Sequence, residues 1–264
     1  MIGGKGSYAL VTGASSGVGY EYAKLFAKDG KNIVVLARSR DRLEELKRDL
    51  EKAHGTKVVV LVKDLADPEA PQEVFSEVEK AGINIDVLVN NAGFAVYGKF
   101  QDADWQKEAE MIQVNVVALT QLTKLFLRKM LQNKSGKILN ISSVGGIAPS
   151  PWCSAYGGTK HYVLGFSNAI AAELKGTGVS VTCFCPGNTR TLFFKRGNAE
   201  DCRANRRGLL VMDAATAARH GYKALAKGRT TVVAGLPWSL LIFSGRFLPR
   251  NLVTKVASLL MEPV

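Results

Sequence analysis

Cysteine and acidic residues are both scarce in this 264-residue chain. Its four cysteines (Cys153, Cys183, Cys185, Cys202) form no CxxC pair and show no Cys/His spacing of the zinc type, so neither a metal site nor a disulfide scaffold is expected. Such sparse, unpatterned cysteine fits a reducing compartment, and the expected location is cytoplasmic. No apolar run approaches the roughly 18–20 residues that would span a bilayer. Met1 to Ser7 has no apolar core of its own, which argues against a signal peptide. With 23 Asp and Glu against 35 Lys and Arg, the formal net charge is +12. The basic residues are scattered, without an arginine-rich arm or an RNA-stacking signature, so a solvated basic surface is expected and nucleic acid is not a partner. Collagen, coiled-coil and low-complexity patterns are missing as well. Apolar residues at 47 % and charged residues at 22 % are ordinary globular usage, and the length suffices for a large core.

What is present is an alternation. Short β-branched runs at 8–12, 32–37, 57–62, 86–89, 136–142, 179–184 and 230–234 are separated by helical patterns near 18–29, 40–53, 68–81, 104–131, 155–175 and 213–227. That order predicts βαβ units and a parallel sheet. Several runs are almost wholly apolar, as strands covered by helices on both faces should be. One doubly wound domain, residues 1–235, accounts for the alternation. A long insertion at 187–212 and an apolar tail at 236–264 stand outside it.

After the first strand comes Thr12-Gly13-Ala14-Ser15-Ser16-Gly17-Val18-Gly19, then a helix. Glycine lets the backbone turn tightly and approach a ligand, and a helix start offers free N–H groups to a pyrophosphate. The second strand ends in Ala37-Arg38-Ser39-Arg40-Asp41-Arg42, with no acid directly after it. A carboxylate there would accept from the ribose hydroxyls of NAD, whereas a guanidinium pairs with the 2′-phosphate of NADP. Arg38 is the first choice and NADP(H) the expected cofactor; Arg40 and Arg42 serve equally well as solvated helix residues.

The TGASSGVG turn, Asp64-Leu65, Asn90-Asn91-Ala92-Gly93, Asn115, Ile141-Ser142-Ser143, Tyr156-Gly157-Gly158-Thr159-Lys160 and Pro186-Gly187-Asn188-Thr189-Arg190-Thr191 resemble, in order and spacing, the short-chain dehydrogenase/reductase family. The resemblance covers roughly residues 7–235. It implies a Rossmann-like seven-stranded parallel sheet with a nicotinamide cofactor along its C-terminal edge. The implied catalytic set is Ser143, Tyr156, Lys160 and Asn115. Gly13, Ser15, Ser16, Gly17, Val18 and Gly19 would hold the pyrophosphate. Asp64 and Leu65 would hold the adenine, and Asn91, Ala92 and Gly93 would line its ribose. Tyr156 and Lys160 would also touch the cofactor, with Pro186, Gly187, Thr189 and Thr191 flanking the nicotinamide. Asn115 would hold a water relaying protons toward Lys160.

Residue chemistry agrees with that set. Reduction of a ketone needs an acid to protonate the developing alkoxide, and a free Tyr, at a pKa of about 10, is too weak near neutrality. Tyr156 and Lys160, at i and i+4, project from one helix face, so the cation is expected to lower the phenol's pKa. Ser143 can hydrogen-bond the substrate oxygen, while Ser142 should point the other way. Gly157-Gly158 departs from the family pattern and costs about 1 kcal/mol per glycine relative to Ala in a helix. The expected enzyme is an NADP(H)-dependent oxidoreductase interconverting carbonyl compounds and alcohols. The alternative is a dinucleotide-sensing protein that has lost turnover.

Phe94, Ile147, Trp152, Phe193 and Phe194 fall in segments expected to rim the pocket, which would suit an apolar substrate such as a steroid, fatty-acyl or aromatic carbonyl compound; core or lid packing explains them too. Arg190, Lys195 and Arg196 would recognise an acidic group or stay solvated. Apolar residues on helices 104–131 and 155–175 (Leu119, Leu122, Leu125, Phe126; Tyr162, Val163, Phe166, Ile170) exceed one core stripe, and with the family resemblance they predict a homodimer or homotetramer. In the tail, Pro237 and Pro249 should break the segment into two short helices, and three cations forbid a spanning helix. Two readings stand: an arm covering a pocket, a partner or the open sheet edge, and an amphipathic contact of 237–264 with an anionic membrane.

Overall fold

The elements are β1 (Tyr8–Thr12), α1 (Gly17–Lys28), β2 (Asn32–Ala37), α2 (Arg40–His54), β3 (Val58–Val62), α3 (Ala70–Lys80), β4 (Ile85–Asn90), α4 (Trp105–Ile112), α5 (Leu119–Gln132), β5 (Gly136–Ile141), α6 (Ser154–Glu173), β6 (Val179–Cys185), α7 (Ala214–Ala226), β7 (Thr231–Val233), α8 (Leu236–Gly245) and α9 (Arg250–Met261). The computed structural model describes residue 2, residues 6–190, residue 203 and residues 211–263. All seven sheet strands pair in parallel, in the order β3-β2-β1-β4-β5-β6-β7. A minor pair joins Thr189–Arg190 to Met212–Asp213. The expected doubly wound α/β fold is therefore present.

Strand geometry divides the core in two. Successive side chains point to opposite faces, so Val11 packs with Tyr22 and Phe26 of α1, Leu43 of α2 and Ala217 of α7. Its neighbour Leu10 packs with Val74 of α3 and Leu122 and Phe126 of α5. Cys183 and Cys185, two residues apart on β6, share a small cluster with Leu119 and Val163. The strand order turns around between β1 and β4, where an open parallel sheet leaves a crevice beyond its C-terminal strand ends.

The pattern at 104–131 is helical throughout, with residues Gln113–Ala118 forming a π-helical stretch between α4 and α5. The tail does form two short helices, but Pro237 lies in the first turn of α8, where a missing N–H costs nothing. Pro249 instead stands just before α9 and separates the two. The tail lies against the β7 edge, where Ser239, Ile242 and Phe243 share a small recess with Thr231, Val232 and Val233, and it also reaches over the site. One hydrogen bond, Ser239 Oγ to the Val233 carbonyl at 3.4 Å, ties α8 to β7, and residues of both α8 and α9 line the main cavity. The Tyr97 hydroxyl, donating to the Met261 carbonyl, fastens the far end of α9. No helix among the described residues is long and apolar enough to cross a membrane.

Candidate active site

The turn after β1 begins the site. Gly13 and Gly17 have φ of +67° and +61°, a left-handed conformation that favours glycine. Asn91 fastens this turn from below: its Nδ2 donates to the Thr12 carbonyl at 2.9 Å and to the Gly13 carbonyl at 3.4 Å. Thr12 Oγ1 accepts from the backbone N–H groups of both Asn91 and Ala92 at 2.9 Å. A Cβ on Gly19 would collide with Asn91 Nδ2 and the Gly13 carbonyl. Gly19 thus serves the packing beneath the turn, one layer below the residues that line the cavity. No side chain caps α1 at Ser16, so the helix start is open to a ligand.

A cavity of about 1330 Å³ runs from this turn across the C-terminal ends of the strands. Gly13, Ser15, Ser16, Gly17 and Val18 line one end, beside Arg38, Asp64 and Leu65. Arg38 Nη1 lies 3.4 Å from Asp64 Oδ2, with the two side chains 68 % and 47 % exposed. The pair is loose and open to solvent, so the guanidinium is free to turn to an incoming phosphate. Asn91, Ala92, Gly93, Pro186, Gly187 and Thr189 line the middle. Thr191, Phe193, Phe194, Lys195 and Arg196 lie outside the described residues, and Arg190 is exposed and off the cavity wall.

Ser143, Tyr156 and Lys160 converge on the wall beyond. The Ser143 hydroxyl is hydrogen-bonded to the Tyr156 phenol and also accepts from the Gly145 N–H at 3.1 Å. Lys160 Nζ stands 5.7 Å from the centre of the Tyr156 ring and donates to the Ile141 carbonyl at 2.9 Å. Ser142 does point elsewhere, its hydroxyl donating to the Lys160 carbonyl at 2.8 Å. The net shift of the Tyr156 phenol is nonetheless opposite to the expected one. Burial dominates and pushes the phenol up, the Ser143 hydrogen bond pulling only partly the other way. Burial also brings Lys160 down to about 8, a value at which it still holds its proton near neutrality.

Asn115 lies in the π-helical stretch, wholly buried and behind the cavity wall. Its amide donates to the Phe94 carbonyl at 3.0 Å and to Thr159 Oγ1 at 3.1 Å, and its Oδ1 accepts from the Phe94 N–H at 3.2 Å. Asn115 Oδ1 and Lys160 Nζ flank Gly93, where a Cβ would press on Asn115 Oδ1 and just touch Lys160 Nζ. The wider π turn so places this side chain between the β4 loop and α6.

Phe94 and Ile147 line the cavity as expected, but Trp152 does not. Trp152 has φ of +66° and its carbonyl accepts from the Gly98 N–H at 2.8 Å, holding the loop before α6 against the one after β4. The tail supplies the roof, in line with the pocket-covering reading of it, though the residues that do so are not singled out from the sequence. Trp238, Leu241, Val253, Val256, Ala257 and Leu260 of the tail close the cavity from above. Trp238 packs so tightly on Gly187 that no Cβ fits there. An apolar helix following directly on the last strand was the available signal.

The family model for short chain dehydrogenases matches residues 7–201. A 7beta-hydroxysteroid dehydrogenase of Collinsella aerofaciens is 33 % identical over 186 residues, 70 % of either chain. A very-long-chain 3-oxoacyl-CoA reductase of Anas platyrhynchos is 34 % identical over 69 % of this chain, which spans only 60 % of that protein's length. Among solved structures, one described as giving insights into 7beta-hydroxysteroid dehydrogenase stereoselectivity superposes with a TM-score of 0.86 at 26 % identity, covering 96 % of both chains. A short-chain dehydrogenase from Sphingobium yanoikuyae in complex with NADPH gives 0.82 at 30 % identity, covering 91 % of this chain and 94 % of that one.

Proposed function

This chain belongs to the short-chain dehydrogenase/reductase family, and we propose that it is an NADP(H)-dependent oxidoreductase interconverting a bulky apolar ketone or aldehyde and its alcohol. The observation that carries this reading is the convergence of Ser143, Tyr156 and Lys160 on one wall of a cavity whose other end is an uncapped glycine turn. The residues present fit the dinucleotide: the turn is open to a pyrophosphate, and Arg38 offers a guanidinium at the end of β2. When bound, NADP(H) supplies or accepts the hydride.

The chain's own groups handle the oxygen. Ser143 holds the substrate oxygen by a hydrogen bond, and Tyr156 gives that oxygen a proton in reduction and takes it back in oxidation. A positioned acid or base of this kind contributes about 10²–10⁴ in rate. Lys160, buried one helical turn on, keeps a positive charge beside the phenol, which favours phenolate during proton transfer. Phe94, Ile147, Pro149, Trp238, Leu241 and Val253 give the substrate end an apolar wall. The hydroxysteroid and very-long-chain 3-oxoacyl-CoA names of two relatives point the same way.

A panel of bulky apolar ketones and alcohols, followed by NADPH absorbance, tests the reading. Turnover is expected with some of them, and Tyr156→Phe should lower kcat by about 10²–10⁴. Protein that binds NADPH yet turns over no carbonyl compound or alcohol would instead be a dinucleotide sensor. The cofactor preference is separately measurable: NADPH should bind about tenfold or more tightly than NADH, and Arg38→Asp should cost NADPH about 1.5–3 kcal/mol, the scale of a charged hydrogen bond. Equal affinities in the unaltered protein would sink the NADP assignment.

A further inference from the structure

The tail helices are apolar on two sides, and one side is exposed among the described residues. On α8 the residues Trp238, Leu241, Ile242 and Gly245 face the cavity. Leu236, Leu240, Phe243 and Phe247 recur at i, i+4, i+7 and i+11 and are exposed, Phe247 by 76 %. Phe243 and Phe247 meet edge to face at 5.3 Å, so they form a continuous apolar ridge. On α9 the cavity takes Val253, Ala257 and Leu260, leaving Leu252 and Leu259 exposed beside Lys255. Most of the large apolar side chains exposed among the described residues belong to these two helices and the turn between them. A helix apolar all round normally lies in a core or against lipid.

Charge decides between occupants. Arg246, Arg250 and Lys255 are exposed around the ridge, Lys255 on the outer face and Arg246 and Arg250 at the rim of the cavity, and Arg229 lines a small recess with Phe243 and Arg246. Glu262 is the one acid from residue 236 to the end, and it is paired with Arg203 at 3.1 Å. A second copy packed two-fold on this face would set these cations against their own equivalents. An anionic surface with an apolar interior would satisfy ridge and cations together. We propose that the outer face of α8 and α9 docks this protein peripherally on an anionic lipid surface, with Leu240, Phe243 and Phe247 entering the headgroup boundary and Arg246, Arg250 and Lys255 at the lipid phosphates.

Cosedimentation of the full chain with phosphatidylcholine–phosphatidylglycerol vesicles, and with pure phosphatidylcholine vesicles, tests this. The protein should sediment with the mixed vesicles at low salt and not with the neutral ones. Capture should weaken at about 1 M salt, where the screening length falls to about 3 Å, and inorganic phosphate at matched ionic strength should not compete. Phe247→Ser and Lys255→Glu alter exposed side chains off the cavity wall, so both should melt like the unaltered protein. Each should lower vesicle affinity at least about fivefold. Equal capture by both vesicle types, none by the mixed ones, or undiminished capture of both variants overturns the proposal. So does a dimer that Phe247→Ser disperses without any vesicle binding.

Discussion

Lys160 shows how burial and charge compete within one side chain. Its Nζ is covered by β5, α6 and the loop after β4, and the carbonyl of Ile141 is its hydrogen-bond partner. Losing water outweighs what the neighbours return, and the pKa falls to about 8. In the unfolded chain a lysine holds its proton to about 10.4. Between those values the unfolded state carries one more proton than the folded state, so stability from this residue rises with pH across the window. Relative to Lys160→Met, the unaltered protein should therefore gain about 2–3 kcal/mol between pH 7 and pH 10. Urea unfolding of both proteins at both pH values measures it, and a difference independent of pH would remove burial as the cause. Tyr156 is displaced in the opposite sense for the same reason, since a phenol is charged only after losing its proton.

At the scale of the element, the two glycines of α6 have different reasons to be there. A Cβ on Gly157 would sit 2.8 Å from Ser150 Cβ, so this position lets the loop carrying Ser143 press against the helix carrying Tyr156. Nothing lies within 4 Å of a Cβ on Gly158. Gly158→Ala should stabilise the protein by about 0.5–1 kcal/mol through helix propensity. Gly157→Ala should lower kcat as well as the melting temperature, because Ser150 and its bond to the Gly145 carbonyl must shift. Thermal melts and steady-state kinetics on the pair separate the two effects; equal behaviour would refute the distinction. The π-helical stretch also acts at this scale, carrying Asn115 to the backbone of Phe94, where two hydrogen bonds hold the β4 loop.

At the scale of the whole molecule the tail completes the cavity. Its inner face supplies Trp238, Leu241, Val253 and Leu260 to an apolar roof, and its ends are held by Ser239 at β7 and by Tyr97 on Met261. Deleting residues 237–264 should uncover Gly187, Ile147 and Phe94, lower the melting temperature and raise binding of an apolar dye. A truncated protein that melts and stains like the full chain would mean that the roof contributes nothing to the fold. Helices α5 and α6 keep Leu122, Phe126 and Val163 in the core and leave Val117, just before α5, and Tyr162 exposed.

Much of this was determined by the sequence alone. Strand alternation with intervening helical periodicity fixes a doubly wound parallel sheet, because each strand's two apolar faces need helices on both sides. Glycines after β1, the YxxxK spacing on α6 and Ser143 at the end of β5 likewise carry their geometry in short local patterns. The remainder depended on contacts between distant segments. That Asn91 binds under the glycine turn, that Asn115 grips Phe94 from a π turn, and that Gly157 admits Ser150 are pairings that local periodicity does not encode. The sign of the Tyr156 shift came out opposite to the Tyr–Lys spacing argument, since desolvation is set by everything packed around the phenol. The tail was legible as two helices, yet which of their faces roofs the cavity and which stays bare was decided only when β7 delivered them over the mouth of the site.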